Sequence, residues 1–330
     1  MKTRMVALAF GSSALEKPHL WLALVIALLA CDGTSAPNAG AGRSGTMLYY
    51  YINALYGVNM ATNKERRVYD LSSINESYVG AGLGPKGEIA LAFNSSPIGP
   101  TSRLVILKPD GTLEGSYKHK YMIESNPQFS ADGSKIAYTA SIYLNGSDKK
   151  YSVQVASRTG TDLSFFETAD SPKWLPDGRL VFQSSDGPGL FLSDTPENKD
   201  STFIPNTDRA TKPDVSPDGS RIVFMWGATA NSPKNLYMIK PDGSGRRQVT
   251  TTSDGVVHEG IFSPNGKELL VSSVGCVSGS GPIVVGPDVS DVAHIIPADA
   301  SKLEIPLGKN GAMKGEDGTT RCVDSVESWR

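Results

Sequence analysis

An all-β ring of repeated blades is the fold class that the sequence predicts, on three observations. The first is one short pattern that recurs along the chain. Asn126-Pro127-Gln128-Phe129-Ser130-Ala131-Asp132-Gly133 is followed by Lys135-Ile136-Ala137-Tyr138, and Ser171-Pro172-Lys173-Trp174-Leu175-Pro176-Asp177-Gly178 by Arg179-Leu180-Val181-Phe182. Lys212-Pro213-Asp214-Val215-Ser216-Pro217-Asp218-Gly219 precedes Arg221-Ile222-Val223-Phe224, and Phe262-Ser263-Pro264-Asn265-Gly266 precedes Leu269-Leu270-Val271. The second is spacing: the anchors Phe129, Trp174, Val215 and Phe262 stand 45, 41 and 47 residues apart. A period of roughly 40–50 residues marks a solenoid or a propeller. The third is that no stretch beyond the N-terminus sustains a helical period, whereas β-branched and aromatic runs bounded by turn residues recur throughout.

Each unit reads as strand, tight turn, strand. In Pro217-Asp218-Gly219 the proline pre-sets φ, the aspartate bonds back to nearby amides, and the glycine takes the positive-φ position. A third strand follows at 235–239, then a Lys240-Pro241-Asp242-Gly243 turn and a fourth strand at 246–250. A four-stranded antiparallel unit of this length is a propeller blade. These residues resemble the TolB-type propeller repeats, whose core is Pro-x-Trp-Ser-Pro-Asp-Gly followed by a strand like Ile-Ala-Phe. The resemblance covers about residues 46–330 and is strongest over 126–274.

The blade count comes from the remaining segments. A weaker copy, Leu83-Gly84-Pro85-Lys86-Gly87, precedes a strand at 89–93, and Leu83 lies 46 residues before Phe129. Residues 47–52, 55–61 and 66–72 read as the second, third and fourth strands of a blade that lacks its first. Residues 326–330, Val-Glu-Ser-Trp-Arg, read as that missing strand. Joining them gives a six-bladed β-propeller of four-stranded antiparallel blades, closed by pairing the C-terminal strand with N-terminal strands. Closure removes an unpaired edge.

Residues 1–31 are expected to be a leader. Lys2, Arg4 and Lys17 precede an apolar run at 20–30, too short to span a bilayer and suited to a signal peptide. Met5 is a second candidate start beside Met1. The ending Leu28-Leu29-Ala30-Cys31 resembles the bacterial lipobox, which implies acylation of Cys31. Residues 32–45, rich in Gly, Ala, Ser and Pro, read as a flexible tether, and 46–330 as the propeller. Asp32 resembles the inner-membrane retention signal of enteric bacteria, and the choice of inner or outer membrane stays open. With Cys31 acylated, Cys276 and Cys322 remain. Both are expected on one face of the ring, one after a second strand and one in the loop leading to the closing strand. In an oxidising compartment they are expected to pair, closing 47 residues for roughly 4 kcal/mol on the chain-entropy model.

Residues 32–330 carry 29 Lys and Arg against 33 Asp and Glu, a formal charge of −4, which argues against a nucleic-acid footprint. The basic clusters at 64–67, 118–120 and 246–247 fall on expected outermost strands, where charge discourages edge pairing. There is no G-x-S-x-G elbow, and neither Ser278-Gly279-Ser280-Gly281 nor the glycines at 243 and 245 have the context of a nucleophile or phosphate loop. Candidate ligand or metal positions are His119, leading into the third blade, and His258 with Glu259, opening the innermost strand of the sixth. Trp226 joins them at a strand end on the loop-rich face. Packing is the alternative role for each, and no catalytic residue or cofactor is assigned.

Two functions follow as expectations. The first is a non-enzymatic binding module, monomeric, lipid-anchored in the bacterial envelope and facing the periplasm, with a protein, peptide or envelope polymer as ligand. The resemblance supports it, because TolB works with a peptidoglycan-associated lipoprotein; this chain is not expected to carry the α/β domain that precedes TolB's propeller. The second is a lyase or lactonase-type enzyme with a metal near His258 and Glu259.

Overall fold

The computed structural model describes residues 43–330 except 95–101, 120, 126, 145–147, 188, 195–199, 230–231, 253–256, 277–289, 306–321 and 324. The leader, Cys31 and residues 32–42 of the expected tether lie outside the described residues. Among the described residues there is no helix, and so none long and apolar enough to cross a membrane.

Six sheets of antiparallel strands follow one another along the chain. From the centre outwards, blade 1 is Ser325–Trp329, Thr46–Tyr51, Ala54–Asn59 and Glu65–Asp70. Blade 2 is Ser77–Leu83, Ile89–Asn94, Ser102–Leu107 and Leu113–His119. Blade 3 has a two-part inner strand, Met122–Ile123 and Gln128–Phe129, then Lys135–Leu144, Asp148–Ser157 and Asp162–Glu167. Blade 4 is Ala169–Trp174, Leu180–Ser184, Leu190–Ser193 and Ser201–Phe203. Blade 5 is Thr211–Val215, Ile222–Trp226, Asn235–Ile239 and Arg247–Gln248. Blade 6 is Val257–Phe262, Glu268–Cys276, Ser290–Pro297 and Cys322–Val323. Each inner strand touches those of both neighbouring blades, and the sixth returns to the first. The ring is closed.

Its seam is the expected one. Met47 pairs with Trp329 and Tyr50 with Ser325, around a bulge between Leu48 and Tyr49. Arg330 N–H donates to Thr46 O at 2.9 Å, and the Thr46 amide returns a bond to Arg330 O. The propeller begins before residue 46: Arg43 pairs with Glu268 at 3.0 Å, and the Trp329 indole N–H donates to Ser44 O at 3.2 Å.

The repeated turns hold themselves together. In blade 3 the Ser130 hydroxyl donates to Asp132 at 2.6 Å, Asp132 accepts from Ser134 N–H at 3.0 Å, and Gly133 sits at φ +73. Blade 5 repeats this with Ser216, Asp218 and Ser220, and blade 6 with Ser263, Asn265 and Lys267. The serine hydroxyl bonds draw the carboxyls of Asp132 and Asp218 down to about 2.

Apolar side chains fill the spaces between blades, one cluster at each of the six blade–blade junctions among the described residues. The anchors Phe129, Phe262 and Trp329 are buried at these junctions. Polar clasps supplement the packing. Arg158 of blade 3 reaches into blade 2, bonding Glu88 at 2.8 Å and Glu114 at 2.6 Å. Burial alone would raise the Glu88 carboxyl, but the Arg158 and backbone bonds outweigh it and hold it below its ordinary 4.5. Stability from this pair is present above pH 4.5 and lost as pH falls through the lower folded value. Arg158→Met leaves the Glu88 carboxylate buried without its cation, and should cost about 2 kcal/mol at neutral pH. Urea melts should show that deficit shrinking in acid.

Two details differ from expectation. Blade 5's outer strand ends at Gln248, and Thr250–Thr251 pairs in parallel with Leu303–Glu304 of the neighbouring blade, a second stitch between blades 5 and 6. Cys322 lies in the outer strand of blade 6, opposite Val292, not in a loop. Cys276 ends the second strand of the same sheet opposite Ser290, so both cysteines stand at one end of it.

Strand direction defines two faces. The Pro-Asp-Gly turns and the connections from third to fourth strands lie on one, the turn face. The other, the loop face, takes the second-to-third connections and the passages between blades. It carries the ends of the 10-residue strands Lys135–Leu144 and Asp148–Ser157, and the strand ends flanking 95–101 and 277–289.

Candidate functional site

The inner strands surround a central channel, and their irregularities aim side chains into it. Ladders break between Tyr78 and Gly80, Asp170 and Lys173, Thr211 and Asp214, and Val257 and Glu259. Such bulges bend a strand and redirect its side chains. Ser171 and Lys212 sit at φ 54 and 50, in the left-handed region that their residue types rarely adopt. Neighbouring blades hold them there. Ser171 N–H donates to Thr139 Oγ1 at 2.9 Å, and Lys212 N–H to Gln183 Oε1 at 2.8 Å. Asp170 ties the two together by accepting from Thr139 Oγ1 and Gln183 Nε2, both at 2.8 Å.

The residue between the repeat's proline and its anchor faces the channel. It is Gln128, Lys173 and Asp214 in blades 3 to 5, with Ile261 and Ser328 at the matching positions of blades 6 and 1. Two cavities of about 320 Å³ each meet at a waist formed by Gln128, Lys173, Asp214 and Ile261. Lys173 Nζ lies 3.4 Å from Asp214 Oδ1, and Asp214 Oδ2 accepts the Phe262 amide at 2.8 Å.

The two mouths differ in chemistry. The turn-face cavity is rimmed by Pro85, Ala131, Pro176, Pro217 and Pro264, one residue from the turn of each of five blades. Arg330 crosses it from blade 1 to donate to Phe129 O of blade 3 at 3.1 Å. Burial pulls the Arg330 guanidinium's pKa down, and Asp214 and Glu88 oppose that. The loop-face cavity is polar and carries both charges, with Glu124, Ser171, Lys212 and Glu259 in its wall.

Of the positions singled out in the sequence, Glu259 lines this cavity, and His258 is exposed beside it on the same inner strand. Trp226 lies at its expected strand end, away from the channel. Its indole N–H donates to Asp208 O at 2.7 Å, its ring meets Tyr237 edge-on, and the Arg246 guanidinium lies 4.4 Å above it. His119 is on the outermost strand of blade 2, remote from His258 and Glu259. There its Nδ1 is 2.8 Å from Tyr138 Oη and 3.8 Å from Asp162. Among the described residues, no group of three or more His, Cys, Asp and Glu side chains is placed to hold a metal ion.

The burial of His119 should couple its titration to folding. Its buried Nε2 has no hydrogen-bond partner, and burial holds the imidazole below its ordinary 6.5 although Asp162 opposes this. The unfolded chain therefore takes up the proton first, so stability is full above pH 6.5 and falls as pH drops toward the folded value. Urea midpoints should decline between about pH 7 and pH 5, and His119→Gln should flatten part of that decline. An unchanged slope would exclude the assignment.

A closed ring of six four-stranded blades around a channel is a β-propeller, and solved structures share the arrangement. TolB from Acinetobacter baumannii superposes with a TM-score of 0.58 at 16% identity, over 89% of this chain and 68% of that one. A putative TolB from Agrobacterium tumefaciens gives 0.57 at 18% identity, over 88% and 100%. A chain of a nidogen/laminin complex gives 0.53 at 11%, over 85% and 97%. The TolB-like propeller fold expected from the repeats is the observed one. No protein-family profile matches the chain, and no curated protein does.

Proposed function

We propose that this chain is a non-enzymatic binding propeller of the bacterial envelope, anchored through an acylated Cys31, facing the periplasm and taking a protein, peptide or polymer at its channel. One observation carries the binding reading. In blades 3 to 5 the repeat keeps its proline, an apolar anchor and the Asp-Gly turn, while the channel-facing letter between proline and anchor changes from Gln128 to Lys173 to Asp214, with Ile261 and Ser328 at the matching positions of blades 6 and 1. Folding requires the constant letters, and the changing one builds a surface of mixed charge and hydrogen-bonding capacity. The likeness to TolB supports the same reading by analogy. The test is cross-linked capture from envelope extract, wild type against Lys173→Gln/Asp214→Asn. That variant neutralises both partners and keeps an acceptor for the Phe262 amide. Loss of a captured species in the variant, with unchanged melting, is the expected result; identical capture would remove the channel from the reading.

The Cys276–Cys322 bond belongs to the same compartment assignment. With Ser290–Pro297 between their strands, the two backbones stand about two strand spacings apart, ~10 Å, beyond the ~7 Å that a disulfide spans. The bond therefore needs the Cys322–Val323 edge to move inward. Alkylation of denatured, unreduced periplasmic protein decides it: no free thiol is the outcome expected of the bond, and two free thiols would leave the described register as it stands.

A further inference from the structure

We propose that the propeller stands with its turn face toward the membrane and presents the loop face, with the mixed-charge channel mouth, to a soluble partner. This rests on the reading of Cys31 as a lipid anchor.

The placement of residues 43–45 fixes which face the chain arrives at. Arg43 is bonded to Glu268 at the turn-face end of blade 6, and Ser44 O accepts the Trp329 indole N–H. A Cβ on Gly45 would meet Arg330 O and the Pro264 ring, so the backbone lies against the proline rim itself. The chain thus enters where a first-to-second-strand turn would otherwise be, because blade 1 is opened at that turn.

Reach decides the rest. Eleven residues separate Cys31 from Arg43. Fully extended they span at most about 40 Å, and as a flexible coil they average about 20 Å. To bring the loop face to the lipid, the segment would have to pass outward over two more strands, about 10 Å, and down a strand length, about 20 Å. Clearing the side chains on the way leaves almost no slack. The direct route through the channel is crossed by Arg330. With the turn face toward the lipid, the average reach of a coil of this length is enough.

The exposed mouth then selects its partner. Lys212, Glu259 and Glu124, the last paired with Lys149 at 2.9 Å, place both signs of charge in the wall of one polar cavity, which fits a polypeptide segment carrying both signs.

The test uses the full acylated chain on lipid vesicles that contain a headgroup-attached quencher. A fluorophore is placed at Lys86→Cys on the turn face or at Lys234→Cys on the loop face, both exposed, with Cys276 and Cys322 replaced by serine. Stronger quenching at position 86 than at 234 is the expected result. Equal quenching, or the reverse order, in protein that floats with the vesicles overturns the orientation alone. Wild type that does not float, or Cys31→Ser that floats equally, overturns the anchor and the orientation with it.

Discussion

Trp329→Ala is expected to destabilise the propeller by about 3–5 kcal/mol, the range for emptying a fully buried aromatic site. The side chain is 3% exposed and packs with Met47, Tyr49, Ile261 and Leu270, so it joins blade 1 to blade 6 across the seam. Its indole also satisfies Ser44 O, which the alanine variant leaves to water. The loss is aggravated by position. Other junctions join blades that are continuous in the chain, whereas blade 1 owes its inner strand to the pairing of Ser325–Trp329 with Thr46–Tyr51. Deleting 326–330 removes that strand and exposes a sheet edge at the channel, and should cost more than the point substitution. Urea denaturation measures both. A truncated chain that melts like wild type would mean that the ring is closed by something other than this strand.

The seam was legible because two kinds of signal agree there: an anchor tryptophan at the repeat's position, and three orphan strands at the other end of the chain. The turns were legible because Pro-Asp-Gly chemistry is local. The channel was not. Its lining comes from Gln128, Lys173 and Asp214, a letter of the motif that varies from blade to blade in both charge and size, so likeness between the repeats does not point to it. The signal was there as variation inside a constant frame. His119 stands apart from the channel residues in a way that the sequence hides for a related reason. It is close in sequence to Gln128, but the chain crosses a whole blade radius between them, about 15 Å for four strands, from the outer edge to the channel. Burial of its imidazole follows from the facing Tyr138, which sequence separation hides. The contacts of Arg43 and Ser44 with the ring have no local pattern either, because they are made to long-range partners, Glu268 and Trp329.

Gly82→Ala should be the most damaging glycine substitution of the inner strands. Gly82 lies on Ser77–Leu83, paired with Ala90, and a Cβ there would stand 1.8 Å from the Pro127 carbonyl oxygen. That oxygen belongs to the backbone of the next blade's inner segment, so no side-chain rotation relieves the clash. Six inner strands converge on one axis, and at Gly82 the backbone of blade 3 approaches too closely to leave room for a side chain. Relief requires blades 2 and 3 to move apart, which loosens the Phe129 junction and shifts the acceptor of the Arg330 bond. Overpacking of a rigid site costs about 1–3 kcal/mol or more, and the upper end is expected here. Gly57→Ala is the control, because its nearest neighbour is a Val68 methyl at 3.1 Å that can give way. Its cost should stay below about 1 kcal/mol. Urea midpoints of the two variants side by side provide the measurement. Equal midpoints would show that the blades slide past one another freely, and that the channel is a softer opening than its close backbone contacts imply.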